Sequence, residues 1–212
     1  MILSQAALGR RITQSRGRKT YDRLIRTAFE LLKRRDLESI TVAELARAAG
    51  YSVGGFYARF RSKDEFFAAM VAEHIAQRTT ARNRLFADLP DEELVSTLIE
   101  DLVTFYWERR RFWRAALIRS TRDPAFWKPL RKHGREFADA LIARITGNIG
   151  RPLTSNEDAN VRFAFQVALG TINNAIFNRP GPMFIGQAVF IENLVRAFRL
   201  VSGYDRLMGL ES

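Results

Sequence analysis

The sequence predicts an all-α fold of about nine helices, a three-helix head followed by a larger helical body. Three observations carry that expectation. Apolar residues recur every three or four positions along almost the whole chain. Three capping signatures, Thr41-x-x-Glu44, Ser62-x-x-Glu65 and Thr154-x-x-Glu157, mark helix starts. No alternating run is long enough for a strand.

The first 19 residues hold Arg10, Arg11, Arg16, Arg18 and Lys19 with no acid, and read as a mobile basic arm. A helix is expected over residues 20–35, because Tyr21, Leu24, Ile25, Ala28, Phe29 and Leu32 form one apolar face. The next helix starts at Thr41, turns Val42, Leu45, Ala46 and Ala49 inward, and stops at Gly50. Ser52 caps a brief third helix over residues 53–59. Ser62 and Glu65 open a fourth that continues toward Phe86.

The body continues with helices over residues 91–110 and 112–119. Asp123-Pro124 reads as the cap and first residue of another, ending near Thr146. The helix behind Thr154 is apolar on nearly every side, so it must be buried all round. A second subunit is the simplest cover for one of its sides; the alternative is the central helix of a monomer. The ninth helix is expected over residues 185–202, ended by Gly203. Domain boundaries are placed accordingly: arm 1–19, head 20–66, regulatory and dimerisation domain 67–212.

Composition narrows the function. There is no Cys, which excludes disulfides and thiolate metal sites. No segment reaches the ~20 apolar residues of a membrane span, and no signal peptide is recognisable, so the expected setting is the cytoplasm with no membrane partner. Fourteen of the 34 Lys/Arg but only five of the 23 Asp/Glu fall within residues 1–63. That segment therefore carries +9 of the +11 formal charge, which fits a polyanion partner or a solvated basic face. His74 and His133 lack ligand-spaced partners, and no phosphate loop or nucleophile triad is recognisable. No enzyme activity, metal or cofactor is expected.

Residues 41–63 read as a helix-turn-helix, whose second helix enters the major groove of double-stranded DNA. Gly54 and Gly55 each cost about 1 kcal/mol against Ala in a helix, which close approach to DNA or a tight helix contact would explain. Tyr57, Arg59 and Lys63 offer donors to phosphates, as does Thr41; Phe56 and Phe60 form the back face.

Thr41, Leu45-Ala46, Ala49-Gly50, Ser52, Gly54, Phe56-Tyr57, Phe60 and Lys63 together resemble the DNA-binding head of the tetracycline-repressor (TetR) family of transcriptional regulators. The resemblance covers residues 20–67; Tyr51 and Phe66 are larger than the aliphatic residues usual there. It implies a homodimer on a palindromic operator, commonly a repressor released by a small-molecule ligand. By matching positions it makes Thr41, Ser52, Val53, Gly54, Gly55, Tyr57, Arg59 and Lys63 the expected DNA contacts. The alternative is a helical ligand-binding or scaffold protein without specific DNA binding.

In the body, Phe105, Tyr106, Trp113, Trp127 and Phe163 are the candidates to line a ligand pocket, though aromatics at such spacing also build plain cores. The arginines at 109–111 and Arg114 read either as attracting an anionic ligand or as facing water, and water is the expectation. Phe165, Leu169, Ile172, Ile176, Ile191, Leu194, Val195 and Phe198 are the expected dimer contacts. Asn173 and Asn174 read equally as pocket anchors or as hydrogen bonds across a dimer.

Overall fold

In a computed structural model, residues 5–210 are described, with side chains from residue 17 onward. The chain is all-α: ten helices and one 3-10 turn, with no strand among the described residues. It divides after His74 into two compact units.

The first unit holds α1 (Gln5–Leu32), α2 (Val42–Ala48), α3 (Val53–Tyr57) and the start of α4 (Lys63–Asp88). The sequence places the first helix at 20–35, but α1 begins 15 residues earlier, so residues 5–19 of the expected arm are helical. Residues 1–4 of that arm, and the side chains of Arg10, Arg11 and Arg16, lie outside the described residues. The apolar face of α1 is as expected: Leu24, Ile25, Ala28 and Leu32 are buried. They pack in the first unit with Leu45, Ala46, Ala49, Phe56, Phe60, Phe66 and Met70, so each short helix contributes its inner face to one small core.

The caps set the turns of this unit. Thr41 Oγ1 accepts from Glu44 N at 3.2 Å, and Thr41 N donates to Glu44 Oε2 at 3.0 Å, a complete capping box. At α4 only half of the expected box forms. Glu65 N donates to Ser62 Oγ at 3.1 Å, but the Glu65 carboxylate accepts from Arg61 N at 2.7 Å instead of from Ser62. Gly50 ends α2 with φ +78°, a conformation that side chains resist.

The second unit comprises the rest of α4 with α5 (Asp91–Glu108), α6 (Arg110–Arg122), α7 (Lys128–Ile149), α8 (Ser155–Phe177), α9 (Ala188–Ser202) and α10 (Tyr204–Met208). α7 does not start at Pro124. Asp123 Oδ1 accepts from Ala125 N at 3.0 Å and holds a turn, and Pro129, in the first turn of α7, is the proline that marks the start. α10 is one helix more than the sequence pattern announces. Its Tyr204 is fully buried and donates its hydroxyl to Asp91 O at 2.9 Å. Arg144 clasps the same corner, bonding Asp91 Oδ1 at 2.7 Å and the carbonyls of Phe86 and Leu89 at 3.0 and 3.1 Å. These bonds fix the α4–α5 connection against α7.

α8 buries Val161, Ala164, Phe165, Ala168, Ile172, Ala175 and Ile176, one face only. Its other side leaves Phe163 and Phe177 exposed, so the helix is not buried all round within the subunit. Five of the eight expected dimer contacts are buried in the subunit's own core: Phe165, Ile172, Ile176, Leu194 and Phe198. Leu169 lines a cavity, and Ile191 and Val195 are half-buried. The physical reason is that the most regular apolar stripe of a helix serves the nearest core, here the α8–α9 packing, where Phe165 and Phe198 meet edge to face at 5.0 Å.

Candidate functional site

α3 has five residues, two of them glycine, and cannot hold its own shape in water. Its neighbours hold it. Ser52 Oγ accepts from Gly55 N at 3.1 Å and fixes the first turn. Phe56, fully buried, meets Phe60 at 5.4 Å and Phe66 at 5.3 Å, ring centre to ring centre. Tyr57 is braced edge-on against Phe56 at 5.3 Å, while half of it stays exposed.

The outer face of α3 is therefore small and rigid. Ser52, Val53, Gly54 and Tyr57 are exposed and Gly55 is half-exposed. A Cβ added to Gly54 would meet only Ser52 Oγ at 3.7 Å; at Gly55 it would meet Ser52 Oγ and Tyr51 Cβ at 3.5 Å. These are ordinary van der Waals distances, so packing inside the head does not demand glycine at either position. Among the described residues, no tight internal helix contact explains them.

The structure places the remaining expected contacts differently from one another. Thr41 is exposed, but its hydroxyl is engaged with Glu44. Arg59 is exposed, with its guanidinium against Gly17 of α1, where a Cβ would collide with it. Lys63 is turned inward. Its ammonium donates to the carbonyls of Leu37 and Ile40, both at 2.7 Å, and so ties the start of α4 to the link between α1 and α2. Two of its three donors are spent on this staple. Arg23, Arg47 and Arg61, which spacing alone does not single out, are exposed and carry no ion pair among the described residues. Arg23 lies beside the Gly50 turn, its guanidinium 3.5 Å from where a Cβ would stand. Arg35, by contrast, is held by Glu44 at 2.9 Å, and this bond, ahead of those to Thr41, lowers the Glu44 carboxyl to about 2.

A second site lies in the other unit, a cavity of about 790 Å³ between α5, α6, α7 and α8. Of the expected pocket aromatics, Tyr106, Trp113 and Trp127 line it, joined by Phe137 and Phe165. Phe105 and Phe163 do not. Phe105 is sandwiched between the guanidinium groups of Arg78 and Arg109, at 4.6 and 4.4 Å, and Phe163 points to solvent with 53% exposure. Trp113 Nε1 donates to Asn173 Oδ1 at 2.7 Å, so Asn173 is a wall of the cavity, while Asn174 bonds Asn178 on the outer side. Arg109 and Arg110 lie on the faces of Phe105 and Trp107, not free in water.

His133 is 4% exposed and lines the cavity. Burial first, then the charge of Arg82, lowers its pKa to about 4, against a weaker pull upward from Glu136. Its imidazole is neutral at pH 7. Among the described residues neither ring nitrogen has a hydrogen-bond partner; Glu136 stands at 3.8 Å. No helix is long and apolar enough to cross a membrane, and no group of His, Asp and Glu fits a metal, among the described residues.

Residues 24–70 match the family "Bacterial regulatory proteins, tetR family". No curated protein matches the sequence. Among solved structures, a Mesorhizobium loti protein assigned to the TetR family matches with a TM-score of 0.68 at 18% identity, over 91% of this chain and 98% of that one. A tetR-family transcriptional regulator of Streptomyces coelicolor matches at 0.61 and 21%, over 90% and 88%. GusR of Salmonella enterica matches at 0.61 and 17%, over 87% and 95%. At these identities the likeness shows the shared fold.

The low pKa of His133 makes one prediction. An unfolded His takes its proton near pH 6.5, whereas the folded one waits until about 4. Between those values the unfolded chain binds more protons, so stability falls as pH drops from 6.5 toward 4. In His133→Phe, Tm measured across that window should fall less steeply than in the parent; parallel curves would remove His133 as the cause.

Proposed function

From membership of the TetR family of bacterial DNA-binding transcriptional regulators, to which this chain belongs, we propose that it is a homodimeric, ligand-released repressor acting in the cytoplasm. The observation that carries this reading is where large apolar side chains are left exposed among the described residues. Val53 and Tyr57 stand on α3, and Phe163, Phe177, Met183, Phe184, Val189 and Leu200 stand on or between α8 and α9. Each patch asks for a cover, and the two covers differ.

On α3 the cover is a DNA major groove. Val53 at the leading end supplies apolar contact to a thymine methyl group, and Gly54 and Gly55 let the backbone come near the phosphates. Ser52, Tyr57 and Arg59 donate to phosphate oxygens, assisted by Thr41 and by Arg23, Arg47 and Arg61, which carry no ion pair among the described residues. Lys63 supports this surface chiefly by holding the head together.

On α8 and α9 the cover is a second copy. Phe163 and Phe177 lie 14 positions apart on one side of α8, and Val189 and Leu200 lie 11 apart on one side of α9. Both spacings are close to whole helical turns, so each helix offers an outward stripe, and two such pairs form a four-helix bundle. A two-fold dimer then matches a palindromic operator. A small molecule in the 790 Å³ cavity lowers DNA affinity by a coupling of roughly 1–3 kcal/mol. α4, which starts at Lys63 in the head and ends at Asp88 in the body, is the continuous element available to carry it.

The test is a gel shift on DNA upstream of the protein's own gene, with competitor DNA and stated salt. Gly54→Ala and Gly55→Ala should each weaken specific binding at least about tenfold while leaving Tm unchanged or raised, since Ala favours helix by about 1 kcal/mol. Equal affinity with higher Tm would show that the glycines do not face DNA. Leu200→Glu, at the 76% exposed position, should give a monomer in sedimentation equilibrium at micromolar concentration. An unchanged dimer would place the interface elsewhere.

A further inference from the structure

The lining of the cavity is uneven in charge. Its walls are aromatic and aliphatic: Tyr106, Trp113, Trp127, Phe137, Phe165 and Leu169. Its charged members are Arg131, Arg135 and Arg162, with no Asp or Glu. Arg162 is already neutralised by Asp158 at 2.7 Å and Asp139 at 2.8 Å. Arg131 and Arg135, one turn apart on α7, are exposed and have no ion pair among the described residues. The nearest acid on α7, Glu136, is shared between Lys132 at 3.9 Å, Arg82 at 4.0 Å and His133 at 3.8 Å. Behind the wall, fully buried Arg78 is matched by Asp101 at 2.6 Å. The surplus positive charge therefore sits with Arg131 and Arg135.

Two further features show a space built for an occupant. Buried His133 lines it with both ring nitrogens unpartnered among the described residues. A native polar group left so is costly unless something reaches it. Two glycines also stand in the wall: among the described residues, a Cβ on Gly134 would come no nearer than 3.9 Å to Leu169, and one on Gly170 would meet nothing within 4 Å. The backbone does not require glycine there, since neither has a positive φ. Both leave room for a side chain there.

We propose that the ligand is an aromatic carboxylic acid: its ring system fills the apolar chamber, and its carboxylate is held by Arg131 and Arg135. This rests on the reading of the cavity as the ligand site. A neutral aromatic of the same shape gains the chamber but not the guanidinium pair, and a cation is repelled by it. His133 stays uncharged inside, so it adds hydrogen bonding without attracting the carboxylate away from the arginines.

Isothermal titration calorimetry on the intact protein tests this with three probes of one apolar body: 1-naphthylacetate, 1-naphthylacetamide and protonated 1-naphthylethylamine. The acid should bind at least about fivefold more tightly than the amide, and the amine should bind more weakly than both. Arg131→Gln with Arg135→Gln should bring acid and amide to equal affinity without losing the amide. Gly134→Leu, which fills the chamber, should abolish binding of all three while retaining the parent's circular dichroism. Amide or amine binding as tight as the acid, or an acid preference that survives the double arginine change, overturns the anionic class and leaves the cavity as the ligand site. No binding of any probe, or binding unaffected by Gly134→Leu, overturns both.

Discussion

The head depends on one buried ring. α3 has too few residues and too much glycine to persist alone, so its place is set from behind by Phe56, packed on Phe60 and Phe66. Those two rings meet each other at 4.9 Å, which closes the cluster. Truncating a buried Phe costs about 3–5 kcal/mol, against a total stability of about 5–15 kcal/mol for a typical domain. Lys63 adds the second constraint, an ammonium spent on two carbonyls of the α1–α2 link. With the back face fixed this firmly, the front face is free to be small. Glycine lowers helix propensity in α3, and the aromatic cluster offsets the loss.

The same division runs through the second unit. Its apolar residues serve three ends: a core, a chamber and an outward stripe. Tyr204 and Arg144 lock one corner, and the α8–α9 packing fills the core. The chamber lies between α5, α6, α7 and α8, with Gly134 and Gly170 in its wall. Phe163 and Phe177 belong to none of the interior and remain outside. In the function proposed above, one face reads DNA, another pairs with a copy, and the filling of the cavity biases the first.

Much of this is legible in the amino-acid sequence alone. Thr41-x-x-Glu44, Gly50 and Ser52 each obey a local rule of backbone hydrogen bonding, so the α2–α3 turn follows from sequence. Other features answer to tertiary contacts and do not. Apolar periodicity shows that α8 has a buried face, but not whether its own subunit or another covers it; hence Phe165, Ile172 and Phe198 prove to be internal. The early start of α1 lacks an apolar stripe to announce it, since residues 5–19 are mainly good helix formers and polar residues. Asp123-Pro124 carries a valid start signal that loses to Pro129 a few residues on. Lys63 looks like a surface cation because nothing local reveals that two carbonyls, 23 and 26 residues earlier in the chain, wait for its charge.

The central claim is that α3, rigidly backed and small in front, reads base sequence as one half of a two-fold pair. Selection of bound duplexes from a random DNA pool by the purified protein, at physiological salt, addresses it most directly. The predicted result is enrichment of a two-fold symmetric sequence, with half-sites centred about one helical turn or more apart. A recovered pool that stays random, bound only at low salt, would contradict it: the basic head would then hold DNA by charge alone.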